Sequence, residues 1–146
     1  MERKKINFFM PMEPPTATAQ EKGINKKTGA IYLKSASKCA REKLTAYLFE
    51  HAPDEPLKGP IYIGVVWNFK TDDPKKAGMY RITKPDLDNL EKDLLDCMTH
   101  LGFWKDDAQI VSKHTFKKWT VGVPGIYIAV EELTAGGNKS NHGETE

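Results

Sequence analysis

Residues 84–110 read KPDLDNLEKDLLDCMTHLGFWKDDAQI, and the phase of their apolar positions predicts a helix closed by a turn. Leu87, Leu90, Leu94, Met98 and Leu101 fall at steps of three, four, four and three, which lines one face of a helix, and Leu95 broadens that face. Pro85 disfavours helix at Lys84, and Asp86 is a good N-cap with Asn89 at N3. At the far end Gly102 can adopt the left-handed conformation that terminates helices, letting Phe103 pack back on the last turn. Asp88 and Lys92 are four apart and share a face, as do Lys92 and Asp96. Asp86 can swing toward Asp88 only if it is a non-helical cap. Asp106 and Asp107 follow the turn, and a strand running back along the helix would bring one of them toward its start.

Outward from this unit, KINFFM (residues 5–10) is a short strand ended by Pro11, Pro14 and Pro15. Residues 11–30 show no periodicity and read as a loop of roughly 20 residues, long enough to be functional or mobile. Ile31–Leu33 is a brief extended piece. A helix is expected from Ser35, with Ser35 or Ser37 as cap and Cys39, Ala40, Leu44, Tyr47 and Leu48 in one stripe. Lys38, Arg41 and Lys43 face outward, and Pro53 and Pro56 stop the helix. IYIGVVWNF (residues 61–69) is almost continuously apolar, which predicts a central strand buried on both faces. Residues 70–83 form a second basic loop. Strands are expected at Gln109–Trp119 and Gly125–Glu132, joined by a VGVPG turn. There is no internal repeat. The expected class is α+β: a small mixed β-sheet with two main helices packed on it, one domain over residues 1–133. Residues 134–146 lack apolar anchors and are expected to be disordered.

The chain has 146 residues, 39% hydrophobic and 29% charged, enough for one core, and no apolar run approaches membrane-spanning length. The apolar piece after the basic N-terminus soon meets prolines, which argues against a signal peptide and for a cytoplasmic protein. Cys39 and Cys97 lie far apart without metal-binding spacing, so both are expected to be small core residues. His51, His100, His114 and His142 show no ligand spacing either. Net charge is only +2 but unevenly spread: Arg3, Lys4, Lys5, Lys22, Lys26, Lys27, Lys34, Lys38, Arg41 and Lys43 outnumber the acids of the first 45 residues. A basic front half beside an acidic cluster suits a nuclease or phosphate-handling protein, and equally a lysine-rich solvated surface.

Each acidic feature also has an ordinary structural explanation. Aspartates in a first turn complement the helix dipole, a lysine four residues after an aspartate is a common surface pair, and Asp-Asp before a strand is usual turn chemistry. The composite is more specific. Asp86, Asp88, Asn89, Leu90 and Lys92, then Gly102, Phe103, Asp106, Asp107, Ala108 and Ile110, strongly resemble the RusA family of Holliday-junction resolvases. That family's motif is Asp-x-Asp-Asn-Leu-x-Lys followed by Gly-Phe-x-x-Asp-Asp-Ala-x-Val/Ile. The resemblance implies a small α+β homodimeric endodeoxyribonuclease that needs Mg²⁺, with Mn²⁺ as a possible substitute. It binds four-way junction DNA and nicks two opposing strands symmetrically in recombination and repair, often from a prophage gene. No membrane and no organic cofactor is implied.

The family's essential acids map onto Asp86, Asp88 and Asp107, and its essential lysine onto Lys92. Asp106 is the second-tier metal ligand. For DNA contact the expected residues are Lys22, Lys26 and Lys27 in the first loop, Lys75, Lys76, Arg81 and Lys84 in and beside the second, and Lys117 and Lys118 on the strand after the acids. Phe103 is expected in the core, while Trp104 and Tyr80 either insert at a branch or fill the core. Residues 11–30 and 70–83 have no close counterpart in the motif, which leaves the cleavage-sequence preference open. Two other functions fit the same residues: a metal-dependent nuclease for other branched DNA, and a non-catalytic DNA-binding module whose acids merely cap a helix.

Overall fold

In the computed structural model, which describes residues 4–16, 22–24, 31–33 and 35–136, side chains alternate sides along every strand of the main sheet. The elements are β1 (Lys5–Met10), β2 (Lys22–Ile24), β3 (Ile31–Leu33), α1 (Ser35–Phe49), β4 (Ile61–Lys70), α2 (Leu87–His100), β5 (Ile110–Thr120) and β6 (Gly125–Glu132). Short 3-10 turns at Pro74–Lys76 and Asp107–Gln109 precede α2 and β5 respectively. The sheet order is β1-β6-β4-β5. β6 pairs antiparallel with both β1 and β4, while β5 runs parallel to β4. A parallel neighbour requires a long crossover, and here α2 lies within it. β2 and β3 pair as a separate antiparallel ribbon, so part of the expected first loop is extended structure.

β4 is central, as expected, but it is not buried on both faces. Ile61, Ile63, Val65, Trp67 and Phe69 are buried, and the alternate residues Tyr62, Gly64, Val66 and Asn68 are only half-buried. The reason is that α1 and α2 cover one face only. Apolar residues on the other face, including Phe9, Phe116 and Tyr127, stay partly exposed. The near-continuous hydrophobicity of β4 therefore reflects an open face that carries apolar side chains.

On the covered face, Phe8, Met10, Ile126, Ile128 and Val130 join the inward residues of β4 against Leu44 and Leu48 of α1 and Leu90, Leu94, Cys97 and Met98 of α2. Fully burying each large aliphatic side chain contributes about 1.5–3 kcal/mol. Cys97 belongs to this core, but Cys39 is exposed. Five residues separate Cys39 from Leu44, which turns it about 140° away around a helix of 3.6 residues per turn.

α2 ends as its glycine predicts. Gly102 has φ 87°, its N–H donates to Thr99 O at 3.1 Å, and Phe103 N–H donates to Met98 O at 3.1 Å. This pair of bonds satisfies two terminal carbonyls. Phe103 and Trp104 are both buried, and the Trp104 indole N–H donates to Thr99 Oγ1 at 2.7 Å, so Trp104 fills the core. Tyr80 is exposed.

The second basic loop is tethered. Gly78 N–H donates to Trp119 O, Trp119 N–H to Met79 O and Arg81 N–H to Lys117 O, each at 2.9 Å. Residues 78–81 thus run along the free edge of β5 before the chain turns into α2. No helix among the described residues is long and apolar enough to cross a membrane. Residues 137–146, most of the tail expected to be disordered, lie outside the described residues.

Candidate active site

The site forms where the first half of α2 crosses the edge strand β5. Register pairs Ile63 with Lys113, Val65 with Thr115, Trp67 with Lys117 and Phe69 with Trp119. Paired residues share a face, so β5 presents Lys113, Thr115 and Lys117 on the helix-covered side, at the margin of the core. An apolar strand there would have extended the core; these residues build a polar wall instead. Facing it, Asp88, Glu91 and Lys92 of α2, with Asp96 and Asp107, line a cleft of ≈ 230 Å³ together with Lys113.

Glu91 anchors the two walls. It is 9% exposed, and Lys113 Nζ lies 2.5 Å from its Oε2. That oxygen makes no hydrogen bond of good angle, yet the separation is within bonding range, so the ion pair is its partner. A second bridge ties α2 to α1: Arg41 contacts Asp93 Oδ1 at 3.4 Å and Asp96 Oδ2 at 3.7 Å. Arg41, Asp96 and Asp107 also line a neighbouring cleft of ≈ 550 Å³ that includes His100, Lys105 and Asp106. The two clefts meet at Asp96 and Asp107.

Asp88, Lys92 and Asp107 are exposed and share the first cleft. The 3-10 turn Asp107–Gln109 lies against α2, so Asp107 does return to the helix, beside Leu95 and Asp96 as well as Asp88. Asp86 occupies the N-cap position with φ −70° and ψ 141°, and its carbonyl accepts from Leu90 N–H at 3.1 Å. Its side chain, however, makes no capping hydrogen bond. The expected cap is one of backbone only, and the Asp86 carboxylate is exposed at the mouth of the helix.

Asp106 has a structural task. Its carboxylate accepts from Ala108 N–H at 2.8 Å, and the Gln109 amide oxygen accepts from Asp106 N–H at 3.1 Å, which completes a capping box. Gln109 also donates to Leu57 O and Gly59 O at 3.0 Å. The expected strand start at Gln109 is therefore a capped 3-10 turn, which presents Asp107 while it uses Asp106.

The expected DNA-contacting cations separate into groups. Lys75 and Lys76 are exposed on their 3-10 turn, and Lys84 is exposed before Pro85. Lys118 lies over the Tyr80 and Phe116 rings on the open face of the sheet. Lys117 points to the opposite face, where its Nζ donates to Thr83 O at 2.8 Å and Pro85 O at 2.7 Å. Burial pulls its pKa down, Arg81 pulls it further, and the Asp86 carboxylate raises it. The Arg81 guanidinium lies over the Phe69 and Trp119 rings, 4.3 and 4.6 Å from their centres. Lys26 and Lys27 lie outside the described residues, and Lys22 is described only as backbone in β2.

Glu91 and Lys113 are absent from the residues expected at the site, and Asp96 enters the expectation only through the helix face it shares with Lys92. Glu91 carried a signal, since it stands three after Asp88 and therefore shares its side of the helix. Lys113 carried none, because only the β4–β5 register places it opposite Glu91. The oxygen donors of the cleft suit a hard divalent cation such as Mg²⁺ in kind. Among the described residues, no three His, Cys, Asp or Glu side chains already stand as a metal-binding group.

Fold and site together define a small α+β protein with an open carboxylate–lysine cleft at the start of its second helix. Residues 11–131 match the family described as Endodeoxyribonuclease RusA, and the chain belongs to that family of DNA-hydrolysing nucleases. It is 31% identical over 109 residues to a crossover junction endodeoxyribonuclease rusA of Lactococcus phage r1t, covering 73% of this chain and 83% of the relative. It is 53% identical over 89 residues to the crossover junction endodeoxyribonuclease RusA of Shigella sonnei, covering 61% and 66% respectively. An uncharacterized Bacillus subtilis protein, YqaN, is 27% identical over 134 residues, covering 83% and 92%.

Proposed function

We propose that this nuclease resolves four-way DNA junctions by paired symmetric nicks in recombination and repair, as a cytoplasmic homodimer that requires Mg²⁺ or Mn²⁺. The observation that carries the reading is the shared cleft of Asp88, Lys92 and Asp107, open to solvent and supplied by two separate elements. The crossover-junction cleavage for which the phage and Shigella relatives are named supports the same substrate.

Asp86, Asp88 and Asp107 would hold the cation. When bound, it would supply positive charge that favours deprotonation of an attacking water and offsets negative charge on the phosphoryl oxygens. The chain's own contribution is positional. Asp88 and Lys92 project from adjacent turns of one helix, so an anionic phosphate approaching the acids meets the Lys92 ammonium beside them. Lys92 is exposed in the cleft beside Asp88 and Asp107, which suits a charge stabiliser that donates hydrogen bonds to phosphate oxygens as charge accumulates. Glu91, tied to Lys113, holds the helix on the sheet. Asp106 keeps the turn in shape behind Asp107.

The exposed Lys75, Lys76 and Lys84 and the half-buried Lys118, together with Lys22, Lys26 and Lys27, would neutralise backbone phosphates, making affinity fall steeply with salt. A four-way junction needs two cuts, and a two-fold dimer offers two equivalent clefts to match it. The test is cleavage of a synthetic four-way junction with Mg²⁺ or with EDTA, comparing wild type with Asp88→Asn. Wild type should cut only with metal, and the variant should bind the junction without cutting. Persistent Mg²⁺-dependent nicking by clean Asp88→Asn protein would sink the assignment. Equal rates on three-way or linear DNA would remove the junction preference, and a monomer by light scattering would remove the dimer.

A further inference from the structure

The segment from Arg81 to Asp86 leads from the edge of β5 into α2, and three successive carbonyls within it are held by cationic side chains. Lys117 Nζ bonds Thr83 O at 2.8 Å and Pro85 O at 2.7 Å. Arg81 Nη2 bonds Lys84 O at 2.5 Å, and its Nε bonds Thr83 Oγ1 at 3.1 Å. In an exposed loop such carbonyls ordinarily bond water, and the segment stays free to move. Here neither cation is loose. The Arg81 guanidinium lies over the Phe69 and Trp119 rings, and Lys117 projects from a strand paired along its length with β4.

The last carbonyl matters most. Pro85 O and Asp86 N belong to one planar peptide unit, so fixing the oxygen fixes the plane from which Asp86 departs. Pro85 itself is buried. The Asp86 side chain has no capping bond of its own, so the held peptide plane is what sets the backbone from which that side chain departs.

We propose that Lys117, assisted by Arg81, is a positioning residue that sets the Asp86 carboxylate through the backbone of residues 83–85. The assignment rests on reading Asp86 as a metal-binding carboxylate. It also removes two cations from the expected DNA footprint, because both ammonium and guanidinium are held against the protein's own carbonyls and the Thr83 hydroxyl. Partners that orient a metal ligand without touching the metal typically contribute 10–100-fold to affinity.

The test uses full-length protein and Mn²⁺ alone as the probe, titrated calorimetrically without DNA. Lys117→Met should weaken Mn²⁺ binding about tenfold or more, and Lys117→Arg, which can still donate to two carbonyls, should recover most of the loss. In parallel, four-way junction binding in EDTA should keep its affinity and its salt dependence in Lys117→Met. Should Lys117→Met not fold, Arg81→Lys gives the same comparison, because it keeps the charge while losing the planar group over the two rings; it should also weaken Mn²⁺ binding. Unchanged Mn²⁺ affinity in a folded variant overturns the assignment. So does a loss of metal-free junction affinity with a shallower salt slope, which would make Lys117 a phosphate contact. A wild type that binds no Mn²⁺ overturns the metal-site reading and the positioning role with it. A wild type that binds Mn²⁺ beside an unaffected Lys117→Met overturns the positioning role alone.

Discussion

Replacing Lys113 by Met strands a buried carboxylate, and the size of the effect follows from where the two partners sit. The Glu91 side chain is 11% exposed and that of Lys113 is 55% exposed, with 2.5 Å between their charged atoms. Removing one partner of a wholly buried pair costs about 3–5 kcal/mol, because an uncompensated charge is left behind. An exposed pair contributes about 1 kcal/mol at most. Lys113 is half in water while Glu91 is not, which places Lys113→Met between these limits at about 2 kcal/mol. For a chain of this size that lowers the melting temperature by roughly 6–8 °C. Glu91→Leu should cost less, about 1 kcal/mol or below, since the freed lysine can turn into solvent. The double variant Glu91→Leu/Lys113→Met puts apolar groups on both walls and should be more stable than Lys113→Met alone. The coupling energy in the double-mutant cycle should be about 1–2 kcal/mol. Urea denaturation of the four proteins at pH 7 measures every term. A Lys113→Met protein within about 0.5 kcal/mol of wild type, or a coupling indistinguishable from zero, would refute the claim that this pair joins α2 to the sheet.

Three further outcomes are expected. Asp106→Asn keeps an acceptor for Ala108 N–H and should melt within about 0.5 kcal/mol of wild type, because Asn and Asp cap equally well, and it should cut DNA normally; Asp107→Asn should not cut. Equal loss of cleavage in both would return Asp106 to the metal ligands. Lys92→Ala should slow junction cleavage by about 10²-fold, the usual worth of one electrostatic donor, with Mn²⁺ binding preserved; an unchanged rate removes Lys92 from the mechanism. Cys39 should react with a thiol reagent in the native protein at once, whereas Cys97 should react only on unfolding, since burial removes access and pushes its thiol pKa up. Two fast-reacting thiols would contradict the packing of α2.

What was readable in the sequence was local. The bounds of β1 and β6, the start of α1 and the glycine stop of α2 each follow from periodicity or backbone stereochemistry within a few residues. The same holds for the pairing of Asp88 with Lys92, which sit on successive turns of one helix. Of the readings that changed, that of β4 depended on partners distant in the chain, whereas the backbone-only cap at Asp86 and the exposure of Cys39 did not. β4 looked doubly buried because its sequence does not say that both helices lie on one side. Asp106 ranked behind Asp107 in the family motif, and the capping box gives its carboxylate a partner in Ala108 N–H.

By itself, then, the sequence determined the α+β class, the helix that carries Asp88 and Lys92, and the family motif. Tertiary structure alone decided that Asp107 shares their cleft and that Glu91 meets Lys113. It also sent the neighbours Lys117 and Lys118 to opposite faces, one to the carbonyls ahead of Asp86 and the other to the open sheet. The physical reason is that helix phase and turn stereochemistry are set by covalent neighbours, whereas strand register fixes which remote side chains meet. A shift of one residue in β5 would reverse every such assignment.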